Sequence, residues 1–367
     1  MTLLNKIHAK VKQRNYLTFD EYMEMCLYYP GLGYYNNQDI SLDPKNSDFI
    51  TGPEVSFLYA ESMAQFYLKC KSHKRLDNII EFGAGSGELC YNFLKNISNK
   101  DLPKKYYILE KSKYLIDQQK IKIAKLPKKY SDIVVWIDKI ENIDNVFLIA
   151  NEVLDALPAK LFLKKENKFY EKVIRIKNNE LFFSTIDCDD FSKDKILNIE
   201  KRIGLEIPNN YSFEINFMYE KFFSDIFSTI GNFVFIIIDY GYSEKEFYHI
   251  DRSSGTLQYY KKNTKIISPL TQQGTFDISI SVDFSSIKRI AERHTIELLT
   301  YTTQTQFLLN TGILENSYKV KNEFERNNIL KNLLFPTDMG ENFKIMIFCD
   351  DMHSNFQLQS KDYRHKL

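Results

Sequence analysis

The chain has 367 residues, 44% of them hydrophobic, enough to bury one large core or two smaller ones. Its 49 lysines and arginines against 48 aspartates and glutamates leave a net charge of +1, so it lacks the basic balance expected of a nucleic-acid partner. Five scattered cysteines without a C-x-x-C pair, and six histidines without ligand spacing, argue for a reducing compartment and against a disulfide framework or a metal site. The longest apolar run, Phe233 to Ile238, is strand-sized, far short of the roughly 20 residues of a membrane span. No apolar signal segment opens the sequence, and a cytoplasmic protein is expected.

In chain order, Thr18-Phe19-Asp20-Glu21 forms a capping box, with Leu17 and Tyr22 as a hydrophobic staple, and opens a helix to about Tyr28 that Pro30-Gly31 stops. Loop residues run to Pro53, and a helix follows from Glu54 to about Lys69 with Val55, Leu58, Tyr59, Ser62 and Phe66 at helical spacing. A strand to Phe82, a helix from Ser86 to Ile97, and strands ending at Glu110, Trp136 and Ala150 come next. Tyr170–Ile176 and Glu180–Thr185 alternate around Asn178-Asn179, a β-hairpin that interrupts the α/β rhythm and reads as an insertion. A helix near Glu214 to Thr229 leads to the Phe233 strand. Then come a helix near Ser285, a strand at Ile296–Tyr301, helices from about Thr305 to Leu333, and a strand at Phe343–Phe348. Strands alternating with helices predict an α/β, doubly wound, mostly parallel sheet with helices on both faces.

The chemistry concentrates at two loci. The first is Glu81-Phe82-Gly83-Ala84-Gly85-Ser86-Gly87, a strand closing in an acid, a tight turn and a helix start. Glycines permit positive φ and let a ligand approach the backbone. The spacing is G-x-G-x-G, not the G-x-G-x-x-G of dinucleotide binders. An acid at Glu81 suits the ammonium of S-adenosylmethionine (SAM) and would repel a pyrophosphate. The competing reading is a glycine-rich turn in an ordinary α/β sheet. Glu110 lies 23 positions after Gly87, near where nucleotide-binding α/β units place the carboxylate that accepts the ribose hydroxyls. Alone it would read as a helix-terminal charge; behind this loop it reads as the ribose acceptor. The third strand ends near Asp138, where adenine is expected, while Trp136 reads equally as an adenine contact and as core packing.

The second locus, Asn151-Glu152-Val153-Leu154-Asp155-Ala156-Leu157-Pro158, follows the fourth strand at the carboxyl edge, where open α/β sheets bind ligands. Glu152 and Asp155, three apart, share a face if the segment makes a helical turn. Methyl transfer needs an aligned nucleophile, and a guanidinium needs carboxylates to orient its fork. The alternative is that Asp155 or Asn151 merely caps a turn.

With these loci the chain resembles the MidA-like SAM-dependent methyltransferases, a family that includes a mitochondrial complex I assembly factor methylating an arginine. Leu27-Tyr28-Tyr29-Pro30-Gly31-Leu32-Gly33-Tyr34-Tyr35 is similar to the family's L-Y-H-P-x-x-G-Y-Y. Asp48 to Ser56 is similar to its D-F-x-T-S-P-E-[IV]-S, and Asn151 to Pro158 to its N-E-V-L-D-A-L-P. Asp239-Tyr240-Gly241, Gly255-Thr256-Leu257, Asp277-Ile278-Ser279, Val282-Asp283-Phe284 and Gln304 to Leu309 follow in family order. Tyr29, Phe57, Asn263 and Ser281 depart from the pattern, three of them where family members carry His and Phe57 where Gln is common.

The resemblance implies a class I methyltransferase-like fold. The expected organisation is an N-terminal helical extension over 1–75, a SAM-binding half over 76–158, a β-hairpin and helical insertion over 159–230, and a second Rossmann-like half over 231–367. It implies methyl transfer to a protein arginine, with SAM as cofactor. Gly83, Gly85, Gly87, Glu81, Glu110, Trp136, Asp138 and Asn151 are the cofactor-side candidates. Glu152 and Asp155 are the catalytic candidates, and Glu54 and Asp283 the substrate-side ones. A protein substrate is expected, with no nucleic acid and no membrane span, in the bacterial cytosol or a mitochondrial matrix; a homodimer stays open. A non-catalytic SAM-binding assembly factor and a small-molecule methyltransferase remain the alternatives.

Overall fold

The computed structural model describes residues 2–37, 50–261, 264–265, 268–351 and 361–367. Asn263 and the Asp48-Phe49 start of one family-like motif lie outside them. The chain forms two compact units. One comprises residues 1–41, 155–221 and 242–286; the other comprises residues 42–154, 222–241 and 287–367.

The second unit carries the central sheet. Its strands are β1 (Asn78–Phe82), β2 (Lys105–Leu109), β3 (Val134–Ile137), β4 (Val146–Asn151), β5 (Phe233–Tyr242), β6 (Glu297–Thr303) and β7 (Phe343–Cys349). They lie in the order β3-β2-β1-β4-β5-β7-β6. The pairs from β3 through β5 are parallel, and β7 runs antiparallel to both neighbours. Continuous apolar stretches such as Val146 to Ala150 and Phe233 to Ile238 are fully buried, as a sheet covered on both faces requires. The helices α1 (Phe57–Lys71), α2 (Glu88–Lys95) and α3 (Lys113–Ile123) belong to this unit. Tyr59, Phe66 and Tyr67 of α1 and Phe93 of α2 join Phe147 and Ile149 in its core. The strand order reverses at β1 and β4, the switch point whose carboxyl edge opens a crevice.

The other unit is built around an antiparallel sheet in which Lys168–Lys177 pairs with Lys160–Lys165, Glu180–Asp187 and Leu17–Thr18. The expected hairpin is present, with Asn178 and Asn179 both at positive φ, as a two-residue primed turn demands. The capping box at Thr18 and Glu21 and the helix Phe19–Tyr28 also form as expected.

Two expectations are corrected. The segment expected as a helix from Glu214 is instead a strand, Tyr211–Ile215, with the helix starting at Met218. Tyr211, Phe213 and Ile215 are buried at period two, and Glu214 is buried to accept the backbone N–H groups of Thr256 and Leu257. The helix expected from Glu54 is broken at Ser56, whose extended backbone (φ −165°, ψ 148°) and Oγ cap α1 through the Leu58 N–H at 3.2 Å. The helices expected from about Thr305 to Leu333 are present as three, Gln304–Asn310, Ile313–Ser317 and Glu323–Leu334, with Gly312 at φ 80° restarting the second.

Candidate functional site

Gly83, Gly85 and Gly87 all adopt left-handed backbone, with φ of 57°, 52° and 75°. The Gly83 N–H bonds Leu109 O at 2.9 Å, carrying the β1–β2 ladder one step beyond β1. The Gly87 N–H then closes a turn on Ala84 O at 2.7 Å, and Gly87 becomes the N-cap of α2. A Cβ on Gly85 would meet nothing within 4 Å, whereas one on Gly87 would press on Gln119 at 3.3 Å. The loop therefore presents bare backbone to open space beside a helix N-terminus.

Around it stand polar groups from four other segments. Glu110, just after β2, accepts from the Ser112 N–H at 3.0 Å and from Gln119 Nε2 at 3.2 Å. Gln119 Nε2 also donates to Gly85 O at 2.9 Å, and Gln119 Oε1 accepts from Trp136 Nε1 at 2.8 Å. One fully buried amide thus joins the glycine loop, the acid and the tryptophan. Trp136 is half-buried and packs against the core, in keeping with its core-packing reading. Glu54, in the single turn Gly52–Val55, accepts the Thr51 N–H at 3.1 Å and hydrogen-bonds Ser86 of the loop. Burial raises the carboxyls of both Glu54 and Glu110.

Glu81 is 3% exposed and accepts from Tyr106 Oη at 2.8 Å. Burial pushes its carboxyl up to about 8; the tyrosine bond opposes the shift and the Glu110 charge adds to it. Without a cation beside it, Glu81 is substantially protonated at neutral pH.

At the carboxyl end of β4, Glu152 has left-handed backbone at φ 54°, a conformation that costs a non-glycine residue on the order of 1 kcal/mol or more. Its surroundings over-determine it. The Glu152 N–H bonds Ile238 O at 2.8 Å, and the Leu154 N–H bonds Asp239 Oδ2 at 2.9 Å. The Glu152 carboxylate accepts from the Gly52 N–H and from Asn151 Nδ2, both at 3.3 Å.

Asp138 is exposed in the bend after β3. Asp155 and Asp283 belong to the other unit. Asp283 caps the helix Phe284–Arg293, accepting from the Ser286 N–H at 3.1 Å and its hydroxyl at 2.5 Å. Asp155 stands near Tyr35, whose hydroxyl donates to Asp277 Oδ1 at 3.0 Å and whose ring stacks on Tyr28 at 5.5 Å. Burial, and then these carboxylates, push the Tyr35 phenol well above its usual range. Ser281 is buried, and its Oγ makes no hydrogen bond to the described residues.

Sequence reasoning missed Gln119, Tyr106 and Asp239. Asp239 alone carried a signal, as the first residue of the family-like Asp239-Tyr240-Gly241. Gln119 sits mid-helix with nothing in its local pattern to mark it.

Three positive-φ glycines before a helix, a carboxylate after the next strand and a strand reversal at that point fit SAM and define a doubly wound SAM-dependent methyltransferase. The chain belongs to the S-adenosyl-L-methionine-dependent methyltransferase family whose model matches residues 58–302. It superposes on a protein of that kind from Burkholderia thailandensis, solved with S-adenosyl-homocysteine bound, with a TM-score of 0.92 and 26% identity, covering 100% of this chain and 96% of that one. It is 24% identical over 370 residues, 91% of its own length and 83% of the relative's, to the mitochondrial protein arginine methyltransferase NDUFAF7 homolog of Caenorhabditis elegans. It is 26% identical over 385 residues, 93% and 83% of the two lengths, to mitochondrial protein arginine methyltransferase NDUFAF7 of Xenopus laevis. Among the described residues no helix is long and apolar enough to cross a membrane.

Proposed function

We propose that this enzyme transfers the methyl group of SAM to a guanidinium nitrogen of an arginine in a protein substrate. The observation that carries this reading is Glu152, a carboxylate held in strained backbone at the carboxyl end of β4, in the same unit as the glycine loop. Bound SAM supplies an electrophilic methyl on sulfonium. Gly83, Gly85 and Gly87 leave room for its methionyl end, Glu81 faces its ammonium, Glu110 takes the ribose hydroxyls, and Trp136 and Asp138 border the adenine. Glu152 holds the planar fork through charge-assisted bonds and aligns one nitrogen. That nitrogen gains the methyl and gives up a proton, while sulfur keeps the electron pair of the broken bond.

One further fact supports a cationic protein acceptor: the relatives from C. elegans and X. laevis are named protein arginine methyltransferases. Both of these relatives are named mitochondrial; the proposed compartment is a mitochondrial matrix or a bacterial cytosol.

The test is incubation with methyl-labelled SAM and host-cell lysate, followed by acid hydrolysis of the protein fraction. Label is expected in methylarginine, and the Glu152→Gln enzyme is expected to transfer on the order of 10²-fold less while binding cofactor within a few-fold. Label in small acid-soluble molecules would overturn the protein acceptor. Wild-type transfer by the Gln variant would remove Glu152 from the mechanism.

A further inference from the structure

A fully packed aromatic helix residue ends its side chain at the amide next to the carboxylate we place beside the acceptor. Tyr59, the third residue of α1, is 2% exposed and contributes its ring to the core. Its hydroxyl donates to Asn151 Oδ1 at 2.5 Å. That bond fixes which way the Asn151 amide points, because an amide offers donors on one side and an acceptor on the other. With its oxygen held by Tyr59, Asn151 turns Nδ2 towards Glu152 Oε1 at 3.3 Å. The same carboxylate oxygen receives the Gly52 N–H, also at 3.3 Å.

Gly52 and Tyr59 are matched. A Cβ on Gly52 would lie 2.5 Å from Tyr59 Cε2 and 2.8 Å from Cδ2, distances at which the ring must move. Only a bare Cα at residue 52 lets the backbone lie against the Tyr59 ring while its N–H reaches Glu152. One ring thus governs both donors, one through its hydroxyl and Asn151, the other through its edge and Gly52. Tyr59 itself stays a donor: burial, with Glu152 and Asp239 nearby, pushes its phenol well above the usual range.

We infer that Tyr59, seated against Gly52, is a positioning residue that acts through Asn151 to aim and ionise the Glu152 carboxylate for the methyl acceptor. The inference rests on Glu152 being the acceptor-side carboxylate. The two donors hold one oxygen and so restrict how the carboxylate turns. Donors to the ionised form also keep it ionised, so losing one raises the carboxyl's pKa.

Tyr59→Phe tests this with almost no change of volume. The Glu152 carboxyl is followed by carbon NMR titration and assigned by the signal that Glu152→Gln removes. In Tyr59→Phe it is expected to titrate about one unit higher, the scale of one charge-assisted bond. Label transfer to lysate protein from saturating SAM should fall about ten-fold, and the acidic limb of its pH profile should move up by the same unit. Binding of S-adenosyl-homocysteine, measured by calorimetry, should stay within about two-fold. Gly52→Ala, which pushes the ring aside at a position of ordinary φ, is expected to act in the same direction. The double variant should be less than additive, since both changes act through one carboxylate.

An unmoved Glu152 titration in Tyr59→Phe overturns the positioning role, whatever the rates. A loss of S-adenosyl-homocysteine affinity as large as the loss of rate also overturns it, because Tyr59 would then be shaping the cofactor site. If Glu152→Gln transfers methyl at the wild-type rate, the acceptor-side reading itself fails. If only Tyr59→Phe keeps that rate and an unmoved titration, the relay alone fails.

Discussion

Gln119 Nε2 lies 3.2 Å from Glu110 Oε2, and this contact joins the middle of α3 to the end of β2. The same amide group also reaches Gly85 O at 2.9 Å, so the acid and the glycine loop share one anchor. In the proposed cofactor site, the loop and the acid are thus tied together by a side chain that need not touch the cofactor.

Replacing Gln119 with Leu keeps the volume and removes three hydrogen bonds, including the acceptor of Trp136 Nε1. The buried partners left behind should lower stability by about 1–3 kcal/mol in denaturant titration. S-adenosyl-homocysteine affinity should fall about ten-fold by calorimetry, because Glu110 and Trp136 lose their common tether. An unchanged affinity would show that Glu110 needs no support from α3.

Gly85→Val should keep the fold and lose the cofactor. A β-branched residue is strained at φ 52°, and its side chain would enter space where nothing of the protein lies within 4 Å. Circular dichroism should be unchanged, while calorimetry shows no saturable binding at concentrations that saturate the wild type. A folded variant that binds normally would remove the loop from the cofactor site.

Glu81 makes stability and binding depend on pH in opposite senses. Its carboxyl is raised to about 8 from an ordinary 4.5, so the folded state holds a proton that the unfolded chain has released. The stability from this group is full below about 4.5 and is lost as pH rises through about 8. Over that window the wild type should lose on the order of 2–4 kcal/mol relative to Glu81→Gln, read from paired denaturation curves. S-adenosyl-homocysteine carries the same ammonium as SAM and favours the ionised carboxyl. Its affinity should rise with pH towards 8 in the wild type and stay flat in the Gln variant. A flat wild-type profile would place the ammonium elsewhere.

The glycine loop was legible because backbone geometry is written locally. Alternate glycines after an apolar run announce positive φ, and Gly83, Gly85 and Gly87 all have it. The position of Glu110 was legible for a related reason, since a strand–helix–strand unit has a narrow range of lengths. Tyr211 to Ile215 was misread because Glu214 looked like a surface helix residue. Only the loop at Gly255 to Leu257, which folds onto that carboxylate, explains a buried acid there.

Sequence by itself determined the α/β alternation, the cofactor loop, the carboxylates at the ends of β2 and β4, and the family-like motifs that carry them. These are short-range features, fixed by hydrophobic period, turn chemistry and helix capping within a few residues of one another. Tertiary structure alone decided that Gln119 binds Glu110 and Gly85, that Tyr59 fixes Asn151, and that Gly52 must be bare. It also decided that Glu81 lies buried against Tyr106. Gln119 and Glu110 are only nine residues apart, but the bonds of Gln119 to Gly85, Tyr59 to Asn151, Gly52 to Glu152 and Tyr106 to Glu81 join segments 25 to 100 residues apart in sequence. Hydrogen-bond direction, strand register and the desolvation of a carboxyl exist only once packing has brought such segments within about 3 Å.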